Sequence, residues 1–240
     1  MNGVLRSALG AVGLLLVMSA PGDAQELAAS SEQTSNLMRT AALLTLFAFI
    51  PALLISTTSF IRIAIVLAMV RHAFGMPETP PNQVLIALAL MLTAFIMGPT
   101  VSELNLVAIQ PLLDGSVTVD EALSLGSLPL RDFMLSQVRD EDLAAVYALS
   151  NTPLPTSPEE VEFFKLVPAF IINELRIAFT IGFVVLLPFL LIELIVASIL
   201  LSLGMMMVPP ATISLPIKVL VFVLIDGWSL VVFGVVGGFQ

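Results

Sequence analysis

The chain has 240 residues, of which 58% are hydrophobic and only 11% charged, with a mean hydropathy of +1.05; a soluble domain is about 45–50% apolar and about 25% charged. That composition places it among membrane chains, and its net charge of -9 argues against nucleic acid as a partner, because phosphate backbones select basic surfaces. It has no cysteine, which excludes disulfides, thiolate metal sites and cysteine nucleophiles.

The opening stretch MNGVLRSALGAVGLLLVMSAPGDAQ combines Arg6, an apolar run from Ala8 to Met18, and the small residues Gly22 and Ala24 flanking Asp23. This is the layout of a secretory signal peptide, and the run is too short for a span, which takes about 20 residues. Residues 1–24 are therefore read as a signal peptide cleaved after Ala24, and residues 25–40 as an exported amino-terminal segment.

Four apolar blocks follow. Ala41–Ile61 is uncharged and interrupted only by Pro51, and Val84–Thr100 is shorter; together they predict a first helical hairpin over residues 41–100. Its turn is marked by Gly75 to stop the first helix, Thr79 to cap the second, and Pro80 with Pro81 in the first turn, where an amide proton is dispensable. Arg62 and Arg71 are assigned to the tip of this hairpin, which the positive-inside rule turns toward the cytoplasm, while Arg39 and Arg176 run against that rule.

Residues 101–176 hold twelve acidic residues against four basic ones. Residues 101–162 are read as an acidic exported insert of short helices, in which TVDE at 118–121 and SPEE at 157–160 are capping-box starts. NTPLPTSP at 151–158 is a proline-rich connector.

The second hairpin, residues 163–236, consists of Phe163–Leu203, expected to be broken at Pro168 and Pro188, and Ala211–Val236. Between them, LGMMMVPP places Gly204, Met205, Met206, Met207, Pro209 and Pro210 on a bend that a smooth helix cannot traverse. No internal repeat is evident.

Glu193, Lys218 and Asp226 fall inside these blocks, where an ionised group at mid-membrane costs roughly 2.5–3.5 kcal/mol. Lys218 and Asp226 share a helical face but sit about 12 Å apart along the axis, too far to neutralise each other. Two readings remain: contact across helices or subunits, or a snorkelling Lys218 with a solvated Asp226. Catalysis lacks its parts: no phosphate loop, and His72 alone in a basic loop. The hydroxyls of STTSF, residues 56–60, are expected to bond helix to helix. The composition thus predicts an all-α membrane protein of about four long apolar helices in two hairpins, non-enzymatic, with no cofactor and no metal.

The segments TSFIRIAIVLAMVRHAFG, TPPNQVLIALALMLTAFIMGP, PAFIINELRIAFTIGF and LGMMMVPPATISLPIKVLVFVLIDGW, in this order over roughly residues 40–236, resemble the FliP family of flagellar type III export-gate proteins. Asn173 stands where that family has Ser, Thr or His, Ala87 where Gly is common, and His72 where Asn is common. The resemblance implies a homo-oligomeric ring, pentameric in the family, joined by FliQ, FliR and other export-apparatus membrane proteins around a channel for unfolded flagellar subunits. It implies a location in the bacterial cytoplasmic membrane at the flagellar basal body, with a substantial exported portion. It further implies that Met205, Met206 and Met207 form a pore gasket, since unbranched, polarizable thioethers repack around varied surfaces.

Ring assembly is expected to supply partners for Arg62, Glu174, Glu193, Lys218 and Asp226 that one subunit could not. The alternatives are the homologous gate of a virulence injectisome and, from another class, a small ion or solute transporter, a reading weakened by the absence of repeat symmetry.

Overall fold

The computed structural model describes residues 38–239 except 39, 42, 43, 46, 47, 50, 76 and 77. The expected signal peptide at residues 1–24 and Arg39 lie outside the described residues. The chain divides into two units, Met1–Ala52 and Leu53–Gln240. Among the described residues all regular structure is helical, with no strand.

In chain order the helices are α1 (Pro51–Thr57), α2 (Phe60–Ala73), α3 (Asn82–Ile96), α4 (Gly98–Leu113), α5 (Val119–Gln137), α6 (Asp140–Leu149), α7 (Phe163–Ser202), α8 (Pro210–Leu224) and α9 (Gly227–Val236), which ends in a 3-10 turn, Gly237–Phe239. Among the described residues only α7 is by itself long and apolar enough to cross a membrane. The other three apolar blocks are bent pairs, α1 with α2 at 79°, α3 with α4 at 62° and α8 with α9 at 65°, and each pair would make one broken span. The four expected apolar helices thus correspond, among the described residues, to one continuous helix and three bent pairs, up to four spans in all.

Local chemistry explains the first of these breaks. The STTSF hydroxyls do not reach another helix: Thr57 Oγ1 donates to the Leu53 carbonyl at 2.8 Å and Thr58 Oγ1 to that of Leu54 at 2.7 Å. Such back-bonding competes with the helical amides and bends the chain, so α1 ends at Thr57 and α2 starts at Phe60. Within α4, residues Asn105–Ile109 are π-helical, just ahead of Pro111, which has no amide proton to return to the preceding turn. Pro168 and Pro188, by contrast, do not break α7, which runs unbroken through both. Each removes one backbone bond from a helix of 40 residues, and the buried Phe170 and Phe189 beside them are held by neighbouring helices. Packed neighbours are what let apolar helices tolerate proline.

At the first hairpin turn Gly75 adopts φ +75° and its amide bonds the His72 carbonyl at 3.0 Å, the left-handed stop that glycine favours. Thr79 is not the cap of α3. Pro81, in extended conformation, takes that place and Asn82 is the first helical residue; the Asn82 carbonyl oxygen Oδ1 accepts from Arg71 instead.

Contacts along α2 and α7 advance together: Arg62 with Glu174, Met69 against Gly182 and Phe74 with Phe189, ring centroids 5.5 Å apart. The two helices therefore run parallel. A Cβ at Gly182 would lie 2.2 Å from Met69 Sδ, so the close approach depends on glycine there, one turn past the buried Ala178. Small residues at this spacing let helix backbones approach without a hydrophobic drive from water. Pairs between α7 and α8 advance in opposite directions, Phe189 with Phe222 and Glu193 with Lys218, which makes those helices antiparallel. The apolar body, Ile63, Val66, Leu67, Val70, Ala89, Phe189, Phe222 and Val231 among others, fills the space between α2, α3, α7, α8 and α9.

The insert is helical as predicted. At its first start the capping box is complete: Thr118 Oγ1 accepts from the Glu121 amide at 3.3 Å and Glu121 Oε2 accepts from the Thr118 amide at 2.8 Å. At the second start no box forms on Ser157, and Glu160 accepts instead from the amide and hydroxyl of Thr156, both at 3.1 Å. A second core of Met134, Tyr147, Val161, Leu166 and Phe170 seats the insert on the start of α7, where Tyr147 Oη accepts from the Glu162 amide at 3.0 Å.

The bonds from Thr118 hold the Glu121 carboxyl below the usual carboxylate range. A group with a depressed folded pKa stabilises the fold in full above its unfolded pKa, and that contribution is lost as pH falls through the folded value. Amide-exchange protection in the first turn of α5 is therefore expected to hold above the ordinary carboxylate range and to fall below it. In Glu121→Gln that drop is expected to disappear.

Candidate functional site

Ionised side chains inside an apolar body mark function by their cost, and each of the three long-range ion pairs among the described residues has one member on α7. Arg62 at the start of α2 meets Glu174 on α7 through two charge-assisted bonds, Nε to Oε2 at 2.8 Å and Nη2 to Oε1. Both side chains are 0% exposed. Arg62 is thus not at the hairpin tip, as its place in the sequence suggested: it lies at the opposite end of α2, and Arg71 alone is near the turn. The remaining donors of the guanidinium reach the Gly238 carbonyl, from Nη1 at 2.9 Å, and Gln137 Oε1, from Nη2 at 3.3 Å.

Further along α7, Glu193 Oε2 accepts from Lys218 Nζ on α8 at 2.6 Å, with the Lys218 side chain 4% exposed. Of the two readings left open for Lys218, contact across helices is the observed one. Asp226, eight residues on, is exposed, sits at φ 50° at the α8–α9 bend and makes no side-chain cap bond. The idea that one subunit cannot partner these charges is corrected: Arg62, Glu174, Glu193 and Lys218 pair within the chain, and among the described residues only Asp226 of the five lacks a partner. The reason is geometric, because the parallel α2–α7 and antiparallel α7–α8 contacts bring residues 112 and 25 positions apart into bonding range.

A third pair was not foreseen. Arg176 Nη1 donates to Asp142 Oδ2 on α6 at 2.8 Å, which ties the insert to α7. The discord of Arg176 with the expected topology was the available signal. Asn173 Nδ2 donates to the Gln137 carbonyl at 2.8 Å, and its Oδ1 is buried with no partner; Gln137 itself carried no signal in the sequence.

The methionine turn joins α7 to α8. Gly204 adopts φ +74°, its amide bonds the Leu201 carbonyl at 3.1 Å and the Met205 amide that of Leu200 at 2.9 Å, the paired closure of a Schellman motif. Pro209 caps α8 and Pro210 is its first residue. Met205 is 44%, Met206 79% and Met207 98% exposed, so none fills the core of its own chain. Pro80 is half-buried and Pro81 exposed at the other turn. No group of three or more His, Cys, Asp or Glu side chains suited to a metal occurs among the described residues.

Helical structure throughout the described residues, a membrane-length apolar helix and one fully buried ion pair within the apolar body define a helical membrane protein. The FliP family model matches residues 43–235. The flagellar biosynthetic protein FliP of Bacillus subtilis is 47% identical over 201 residues, covering 84% of this chain and 91% of that one. Those of Caulobacter vibrioides and Aquifex aeolicus are 47% and 43% identical, covering 86% and 82% of this chain and 78% and 83% of theirs. The chain belongs to the FliP family, a family of flagellar biosynthesis proteins with a role in the flagellar export apparatus.

Proposed function

We propose that the chain is a core subunit of the flagellar type III protein export gate. Like copies, together with FliQ and FliR, surround a channel for unfolded flagellar subunits, and Met205, Met206 and Met207 of each copy close it. The observation that carries this reading is the exposed methionine turn: three flexible apolar side chains lie outside the core, on a backbone loop fixed by its own hydrogen bonds. A loop anchored at Gly204 and Met205 and presenting soft side chains suits a closure that yields to a passing polypeptide and reseals. The numerous exposed large apolar residues along α7, Phe179, Phe183, Leu187, Leu190, Leu191 and Leu194 among them, offer surface for neighbouring subunits or lipid. The chain then acts in the bacterial cytoplasmic membrane at the flagellar basal body with the acidic insert on the exported side.

The curated relatives named above are all flagellar proteins, which favours the flagellum over a virulence injectisome. Co-expression of the tagged chain with FliQ and FliR, followed by native mass measurement, is expected to give one assembly with several copies of the chain per particle. Recovery of the chain only as a monomer, free of both, would overturn the proposal.

A further inference from the structure

We propose that Gly237–Phe239 is a latch that closes over the buried Arg62–Glu174 pair and so couples the position of the acidic insert to that of α7. The Phe239 ring lies on the Arg62 guanidinium, 3.6 Å from Cζ to the ring centroid. The same ring also stacks with Phe133 of α5, centroids 6.2 Å apart and planes 19° from parallel. Phe239 therefore bridges a cation of the apolar body and an aromatic ring of the insert. Gly238 supplies its carbonyl to Arg62 Nη1, and a Cβ at Gly238 would lie 3.1 Å from that nitrogen, so the approach is tight.

The other contacts of the same guanidinium complete the coupling. Arg62 Nη2 reaches Gln137 at the end of α5, the Gln137 carbonyl accepts from Asn173, and Phe133 meets Phe170 of α7 edge-on at 5.9 Å. One guanidinium thus joins α2, α5, α7 and the segment after α9. An aromatic face over a desolvated cation attracts it and keeps it covered, and without that face Arg62 is open on the side where the insert docks. Phe239 and Gly238 are positioning residues for Arg62, and the insert cannot lift from α7 while they are in place.

The absence of native cysteine makes a single introduced thiol a clean reporter. Met134→Cys places one in the insert core and Val70→Cys one in the apolar body; both parent residues are 0% exposed. In the full-length chain, Phe239→Ala is expected to raise the maleimide labelling rate at position 134 by about tenfold, the scale of losing one cation–π and one aromatic contact, and to leave position 70 unchanged. Phe239→Tyr, which keeps the ring, is expected to restore protection. Should Phe239→Ala fail to accumulate, Gly238→Ala gives the milder form of the same pattern. Equal acceleration at both positions, or none at position 134, would overturn the latch.

Discussion

Arg62→Ala is expected to destabilise the folded chain by about 3–5 kcal/mol, because it leaves the Glu174 carboxylate buried without its cation. Glu174 is 0% exposed and accepts two bonds from that guanidinium, so no solvent is at hand to replace them. The variant also orphans Gln137 Oε1 and the Gly238 carbonyl and removes the cation under Phe239. The double change Arg62→Met with Glu174→Leu removes both charges and keeps apolar volume, and is expected to recover most of the loss, since well-packed apolar replacements of a buried pair are often neutral. Trp228, the single tryptophan, packs edge-on against Phe222 at 5.4 Å and reports the apolar body. Thermal unfolding in detergent followed by its fluorescence therefore ranks the three proteins. Equal loss in the single and double variants would show that Arg62 acts through its shape and not its charge.

The Lys218–Glu193 pair differs in kind. Its lysine is covered, but the Glu193 side chain is 41% exposed, so its carboxylate is screened and the pair contributes less to the isolated chain. Asp226, exposed at the α8–α9 bend, is the member of the five that stays open to a partner outside the chain.

Periodicity and composition made the helices legible, and capping chemistry placed the start of α5 at Thr118 and the end of α2 at Gly75. The breaks were less so. Hydropathy reads α1 into α2 as one block because Ser and Thr side chains can satisfy themselves on the preceding turn, and such back-bonding is invisible to an average over residue type. It failed in the opposite sense at Pro168 and Pro188, where packing of Phe170 on the insert and of Phe189 against Phe74 and Phe222 overrides the local cost of proline. The ion pairs were unreadable for a different reason. Arg62 and Glu174 lie 112 residues apart, and without the parallel register of α2 and α7 nothing links them. The methionine turn was fully legible, because glycine, proline and backbone hydrogen bonding dictate its shape locally.

On that turn rests the proposal that Met205, Met206 and Met207 seal a channel. In one chain they add little to stability: Met206 and Met207 are largely exposed, and substitutions at such positions usually shift stability by no more than about 0.5 kcal/mol. The backbone bonds from Gly204 and Met205 to Leu201 and Leu200 do not involve the side chains, so the loop keeps its course when they are shortened. Triple replacement by alanine therefore separates sealing from folding. In the proposed ring, the loss of three thioether chains per copy is expected to open an apolar constriction whose closure depends on excluding water. The direct measurement is small-ion flux through the assembled gate carrying all three alanines, with assembly checked by native mass. A large rise in leak at unchanged assembly is the predicted result; an unchanged leak through an intact assembly would contradict the seal.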